Sequence, residues 1–251
     1  MLAVLCIALA GCAGEASTPR ERAPGPLRVV VSIPPLAWVV HALAPAGTEV
    51  TQITPAGVGC EGVDLTPGQV VAIDRADLVV MTGLGLEAQV ERAIDRSARS
   101  GRRVVSFSSI PGVTELLIES AAAGHDDHDH HDHAHDHDHA HDHDHDHSHD
   151  HHDHGAASYD PHAWLDPTLM AALARGVFDD LSALVGEIEP DAATREATIA
   201  QMKSSLEVVL GECKAIDGEF RDGLAQVATR AFVTEHNGFA YLERRYNLRV
   251  A

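Results

Sequence analysis

The chain has 251 residues, of which 45% are hydrophobic, and it carries a formal net charge of −20 at pH 7. This length and apolar content allow one large domain or two smaller lobes with a substantial core. Such an acidic chain is unsuited to nucleic acid and suits a protein that handles cations.

The N-terminus has the features of a targeting segment. Met1 to Ala10 is an apolar run too short to span a bilayer as a mature helix. It ends in Leu9-Ala10-Gly11-Cys12, which resembles the lipobox of bacterial lipoproteins, so Cys12 is the expected lipidation site. An ordinary cleaved signal is the alternative. Either reading predicts an exported protein, periplasmic or at the cell surface, with a signal peptide over residues 1–12 and a tether over 13–26.

Strand and helix signals alternate through a predicted N-terminal lobe at 27–110. The predicted strands are Leu27 to Ile33, Glu49 to Thr54, Asp77 to Met81 and Arg103 to Phe107, and the predicted helices are Leu36 to Leu43, Pro67 to Arg75 and Leu86 to Ala98. This alternation predicts an α/β fold with a parallel sheet covered on both faces. Ligands of such sheets bind beyond the carboxyl ends of the strands, where Pro55 to Gly62 and Thr82 to Leu86 would lie.

A tract rich in histidine and aspartate interrupts the chain within a loop predicted at 111–158. It holds sixteen of the nineteen histidines and eleven aspartates. Imidazole and carboxylate are zinc ligands, and a tract this polar cannot form a core, so we expect a metal-binding disordered loop. The alternative is a solvated acidic spacer. The weaker metal candidates of this loop are His125, His128, His130, His131, His133, His135, His137, His139, His141, His143, His145, His147, His149, His151, His152 and His154.

Two helices follow the tract. Pro167 to Val185 belongs to the remainder of the N-terminal lobe at 159–189, and Pro190 to about Leu224 forms a long rigid helix predicted to join two lobes. One face of that helix carries an apolar stripe at alternating steps of three and four, which must be buried. The stripe consists of Ile199, Met202, Leu206, Val209, Cys213, Ile216 and Phe220. A coiled-coil partner is the alternative use of the stripe.

Residues 225–251 contain one strand at Ala231 to Thr234, a helix ending near Tyr246 and the start of another strand. About 25 residues are too few to bury a core of their own. We therefore expect a second lobe that is incomplete in this chain, truncated at Ala251. Its larger apolar side chains would then lack a covering sheet; they include Phe220, Leu224, Val227, Phe232, Phe239, Tyr241, Leu242 and Tyr246.

Four features together resemble the substrate-binding lipoproteins of bacterial zinc and manganese ABC importers, the cluster A-I metal-binding proteins. They are Ala76-Asp77-Leu78-Val79-Val80 followed by Gly83-Leu84-Gly85-Leu86-Glu87, the His/Asp insertion, Asp160-Pro161-His162-Ala163-Trp164-Leu165, and Phe232-Val233-Thr234-Glu235-His236 before Phe239-Ala240-Tyr241. The resemblance implies two α/β lobes joined by a long helix, a metal between them, a membrane permease as partner and a monomer when the chain is full length.

The resemblance also implies three histidine ligands and a carboxylate. His162 and His236 match two of the histidines. Cys60-Glu61 stands where the family has Pro-His, and the register favours Glu61 as a ligand through oxygen, with the Cys60 thiolate as the alternative. The fourth ligand would lie beyond Ala251. This set suits Zn²⁺ and discriminates less against Mn²⁺ than three imidazoles would.

Three functions compete. Extracytoplasmic zinc capture for an ABC importer is favoured and involves no catalysis. A zinc hydrolase would need a general base, for which Glu235 is the candidate, and the sequence contains no His-Glu-x-x-His motif. A zinc buffer acting through the tract alone would need no α/β scaffold. His41 lies in a helix pattern and is interpreted as structural.

Overall fold

The computed structural model describes residues 25–60, 62–97, 99–120 and 159–251. Four parallel strands form the larger sheet in the order β2-β1-β3-β4, which confirms the predicted α/β class. The strands are β1 (Arg28–Val31), β2 (Glu49–Gln52), β3 (Leu78–Val80) and β4 (Arg103–Val105), and the helices between them are α1 (Pro34–Leu43), α2 (Pro67–Arg75) and α3 (Ala88–Asp95).

Helices cover both faces of this sheet, as its apolar strands require. Successive side chains of a strand point to opposite faces. Val29 accordingly packs in the layer that contains Leu36 of α1, whereas Val30 packs in the layer that contains Ile73 of α2 and Val90 of α3. The hydrophobic core therefore lies in two layers, one on each side of the sheet.

Two long helices follow, α4 (Pro167–Ile188) and α5 (Ala192–Ala225). Helix α5 packs against α4, α1 and the later helix α6 (Ala240–Tyr246). The apolar stripe of α5 is covered only in part. Met202, Leu206, Val209 and Cys213 are buried, which confirms Cys213 as a core residue, but Ile216 is 42% exposed. Within the described ranges, no helix combines the length and the apolar character needed to cross a membrane.

The last elements are a two-stranded parallel sheet, β5 (Ala231–Phe232) and β6 (Arg249–Val250), with α6 (Ala240–Tyr246) between the strands. The expectation that the aromatic residues here lack cover is wrong for two of them. Tyr241 is fully buried in the main core, and Tyr246 is buried with its ring stacked on Phe220 at a centroid distance of 4.8 Å. Helix α6 therefore docks through Tyr241 and Tyr246 on the part of the protein that the structure describes.

The loop after β3 lies at the carboxyl edge of the large sheet, and hydrogen bonds to the Glu87 side chain fix its backbone. Gly83 and Leu84 both have positive φ, at 70° and 59°. The Glu87 carboxylate accepts hydrogen bonds from the backbone amides of Thr82 (2.8 Å) and Gly83 (2.9 Å). Burial raises the pKa of Glu87, and these hydrogen bonds only partly oppose that effect. The Glu87 side chain thus holds the loop after β3 through two backbone amides.

Candidate metal centre

His162 is buried and is oriented by the aspartate two residues before it. Its Nδ1 lies 2.8 Å from Asp160 Oδ1, and the same oxygen accepts the His162 backbone amide at 2.9 Å. The Trp164 ring packs against the imidazole at a centroid distance of 5.0 Å. Because Nδ1 is engaged by the carboxylate, Nε2 is the nitrogen presented toward Gly238. A carboxylate behind an imidazole is the arrangement that orients metal-binding histidines.

The electrostatics of Asp160 fit this role. Burial alone would raise the pKa of the carboxyl group. The hydrogen bonds from the His162 ring and amide outweigh burial, and with the nearby His162 and His236 charges they hold the pKa of Asp160 below its ordinary value. Asp160 is therefore a carboxylate at neutral pH and can accept a hydrogen bond from the Nδ1–H group of His162.

His236 approaches His162 from the loop between β5 and α6. The two ring centroids are 5.4 Å apart, and His236 is exposed whereas His162 is buried. The position that a Cβ on Gly238 would take lies 2.5 Å from His236 Nε2 and 2.9 Å from His162 Nε2. Both nitrogens thus face one small space that glycine leaves open. Two imidazole nitrogens are half of a tetrahedral zinc set, whose Zn–N distances are about 2.0–2.1 Å.

The third predicted ligand cannot be placed, because Glu61 lies outside the described residues, as do Cys12 and every histidine of the tract. In the described ranges, no group of three or more His, Cys, Asp or Glu side chains could hold a metal. Cys60 lines a cavity of about 150 Å³ with Thr54 and Glu87 at the carboxyl edge of the sheet. His41, which the sequence suggested to be structural, is exposed in the last turn of α1.

Helix α6 fixes the His236 loop to the His162 turn. The fully buried Tyr241 donates its hydroxyl to the Asp160 carbonyl oxygen at 2.9 Å. Arg245 pairs with Asp217 of α5 (2.8 Å) and with Asp166 at the start of α4 (3.3 Å), and the Arg245 hydrogen bond is the largest cause of the lowered pKa of Asp217. Sequence patterns did not point to Asp160, Gly238 and Tyr241 as neighbours of the two imidazoles. Only the Asp-x-His spacing could have indicated the first of them.

Comparisons with known proteins identify the family of this chain. The family model described as the periplasmic zinc-uptake complex component A, ZnuA, matches residues 29–251. The high-affinity zinc uptake system protein ZnuA of Haemophilus ducreyi is 34% identical over 220 residues, covering 88% of this chain and 64% of that protein. Its Brucella abortus counterpart is 33% identical over 231 residues, covering 89% and 66%. This chain thus spans just under two thirds of the length of these relatives.

Solved structures support the fold. A crystal structure of ZnuA superposes with a TM-score of 0.64 at 21% identity, covering 90% of this chain and 70% of that one. The periplasmic zinc-binding protein TroA of Treponema pallidum gives 0.66 at 20% identity, covering 90% and 66%. At these identities the likeness shows a shared architecture and does not identify the metal ligands of this chain.

Proposed function

Because this chain belongs to the family of periplasmic zinc-uptake component A proteins, we propose that it captures Zn²⁺ outside the cytoplasm and delivers it to the membrane permease of an ABC importer. The observation that carries the proposal is the convergence of His162 and His236 Nε2 on the space beside Gly238. Zinc is the cargo, and the Asp160 carboxylate behind His162 fixes the orientation of that ligand. Cys12 would anchor the protein to the membrane through its lipid.

The arrangement favours capture over catalysis. A zinc hydrolase needs an open coordination position and a general base beside the bound water. Glu235, the candidate base, is exposed in the loop before His236. In contrast, one of the two imidazoles is buried and fixed by Asp160, as a protein that retains its cargo requires.

Uptake in the native host tests the proposal. Cells that lack this protein should grow poorly under zinc chelation and recover when the intact gene is returned. A variant with His162→Ala should fail to restore growth, although it is exported at the same level. Recovery by the His162→Ala variant would show that the His162 site does not serve uptake, and would favour a zinc buffer that acts through the sixteen histidines of the tract.

We further propose that Glu61, and not Cys60, supplies the next ligand. Glu61 keeps the register with Asp64-Leu65-Thr66-Pro67, whereas Cys60 lines a cavity beside the buried Glu87. Two imidazoles with a carboxylate suit Zn²⁺ and leave Mn²⁺ as a weaker competitor.

Glu61→Gln should therefore weaken zinc binding by about 10-fold or more. Changes in the outer shell of a metal site cost about 10–100-fold in affinity, and loss of a charged oxygen ligand should cost at least as much as the smallest of these. Cys60→Ser is the matched control and should bind zinc like the unaltered chain. Affinity is measured by competition with a chromophoric chelator. The opposite result, with a thiolate-to-metal charge-transfer band in the Co²⁺-loaded protein that Cys60→Ser removes, would assign the ligand to Cys60.

A further inference from the structure

The hydroxyl of Tyr241 joins three segments that are distant in the sequence. The Tyr241 ring is fully buried in the core. Its hydroxyl donates to the Asp160 carbonyl oxygen at 2.9 Å and accepts the Ile118 backbone amide at 3.2 Å. The Asp160 amide in turn donates to the Ile118 carbonyl oxygen at 2.8 Å. Ile118, Asp160 and Tyr241 thus form a closed set of hydrogen bonds.

This set lies directly behind one of the two imidazoles. Asp160 is the residue whose carboxylate holds both the ring and the amide of His162. The backbone of Asp160 is fixed by Tyr241 while its side chain fixes His162. Any movement of the Asp160 backbone would therefore move the imidazole with it.

Tyr241 also lies close in the sequence to the other imidazole, that of His236. Tyr241 is the second residue of α6 and follows His236 by five positions, with Gly238 between them. The neighbouring Arg244 donates to the Leu116 carbonyl oxygen at 2.6 Å and lies over the Tyr241 ring at 5.3 Å. The start of α6, and with it the loop that carries His236, is therefore fastened to the segment that supports His162.

We propose that Tyr241 is a positioning residue for metal binding, a role that rests on the zinc capture proposed above. Its hydroxyl sets the separation and the relative orientation of His162 and His236. A ligand pair that is already in place loses less conformational freedom on binding, so this one hydroxyl increases zinc affinity without touching the ion. Removing it would leave the Ile118 amide without its hydroxyl acceptor and would loosen the Asp160 turn.

The test is Tyr241→Phe in the full chain, with Tyr246→Phe as the matched control. Tyr246 is also buried on α6, but its hydroxyl bonds Asp217 of α5 at 3.1 Å, away from the imidazoles. Tyr241→Phe should weaken zinc binding by about 10-fold, the lower end of the range for outer-shell changes. Tyr246→Phe should leave the affinity unchanged. Chelator competition gives the affinities.

Two further readouts separate positioning from a general loss of structure. The Co²⁺ absorption spectrum, which reports ligand geometry, should change in Tyr241→Phe and not in Tyr246→Phe. Because Tyr241 and Asp160 act in part on the same imidazole, the double variant Tyr241→Phe/Asp160→Asn should lose less zinc affinity than the sum of the two single losses. Both can be measured in variants whose thermal unfolding matches that of the control.

The outcomes distinguish a failure of the Tyr241 positioning role from a failure of zinc capture. Tight zinc binding that is lost in His162→Ala but unchanged in Tyr241→Phe would overturn the positioning role and leave zinc capture standing. Equal losses in Tyr241→Phe and Tyr246→Phe, or additive losses in the double variant, would also overturn it. Absence of tight zinc binding by the unaltered chain would overturn both proposals.

Discussion

Replacing His162 with alanine should weaken zinc binding by more than about 100-fold, because a change in the outer shell alone costs 10–100-fold and this change removes a ligand. His162 is buried, is held by Asp160 and directs Nε2 to the space beside Gly238. Chelator competition and isothermal titration of the purified chain measure the loss.

His41→Ala is the matched control for this substitution. His41 is exposed on α1, so its removal changes neither the core nor the imidazole pair. His162→Gln keeps the approximate size and the polarity of the side chain. A similar loss of affinity in this variant would show that the loss in His162→Ala does not come from misfolding. Equal affinities for His41→Ala and His162→Ala would remove His162 from the ligand set.

Local signals predicted most of the secondary structure well. Helix α2 begins and ends where the sequence indicates, because Pro67 occupies its first turn and Thr66 and Gln69 form a capping box. Helix α1 begins at Pro34, two residues earlier than predicted. The two prolines that were expected only to end β1 also fit the first helical turn, where their missing amides cost nothing.

Burial at the end of α5 could not be predicted from periodicity. The stripe continues through Ile216 and Phe220 with helical spacing, yet the partners α4 and α1 cover it only as far as Cys213. Periodicity shows which face of a helix is apolar; it does not show how far a neighbouring helix extends along that face. The same limit explains why Tyr241 and Tyr246 are buried against expectation.

In the candidate site, too, some residues were predictable from the sequence and others were not. His162 and His236 were found because each lies in a short motif. Tyr241 contacts Asp160 across 81 positions, and Gly238 matters because of the space that it leaves between two side chains from different segments. Contacts of this kind depend on the tertiary fold. The Glu61 assignment, which rests on register alone, remains a prediction.

Deleting the His/Asp tract should lower the number of zinc ions bound from several to one while leaving the tightest affinity unchanged. The tract holds sixteen histidines outside the described residues, and only alanines and one serine interrupt its histidines and aspartates. The composition of the tract predicts no core, so we expect each coordination event there to cost more conformational entropy. The His162–His236 pair is held by the fold and loses less freedom on binding. Isothermal titration of the deletion variant measures both quantities.

The pH dependence of zinc loading in the tract provides an independent check on whether its histidines hold the metal. Free histidine titrates near about 6.5, so protons displace zinc from unprotected imidazoles as the pH falls through that value. Zinc loading of the isolated peptide His125 to His154 should therefore collapse between about pH 7.5 and 5.5. Loading that stays constant across this range would mean that the eleven aspartates hold the metal. If deletion of the tract abolishes the tight site rather than the weak ones, zinc is captured by the tract, and the imidazole pair beside Gly238 does not form the high-affinity site.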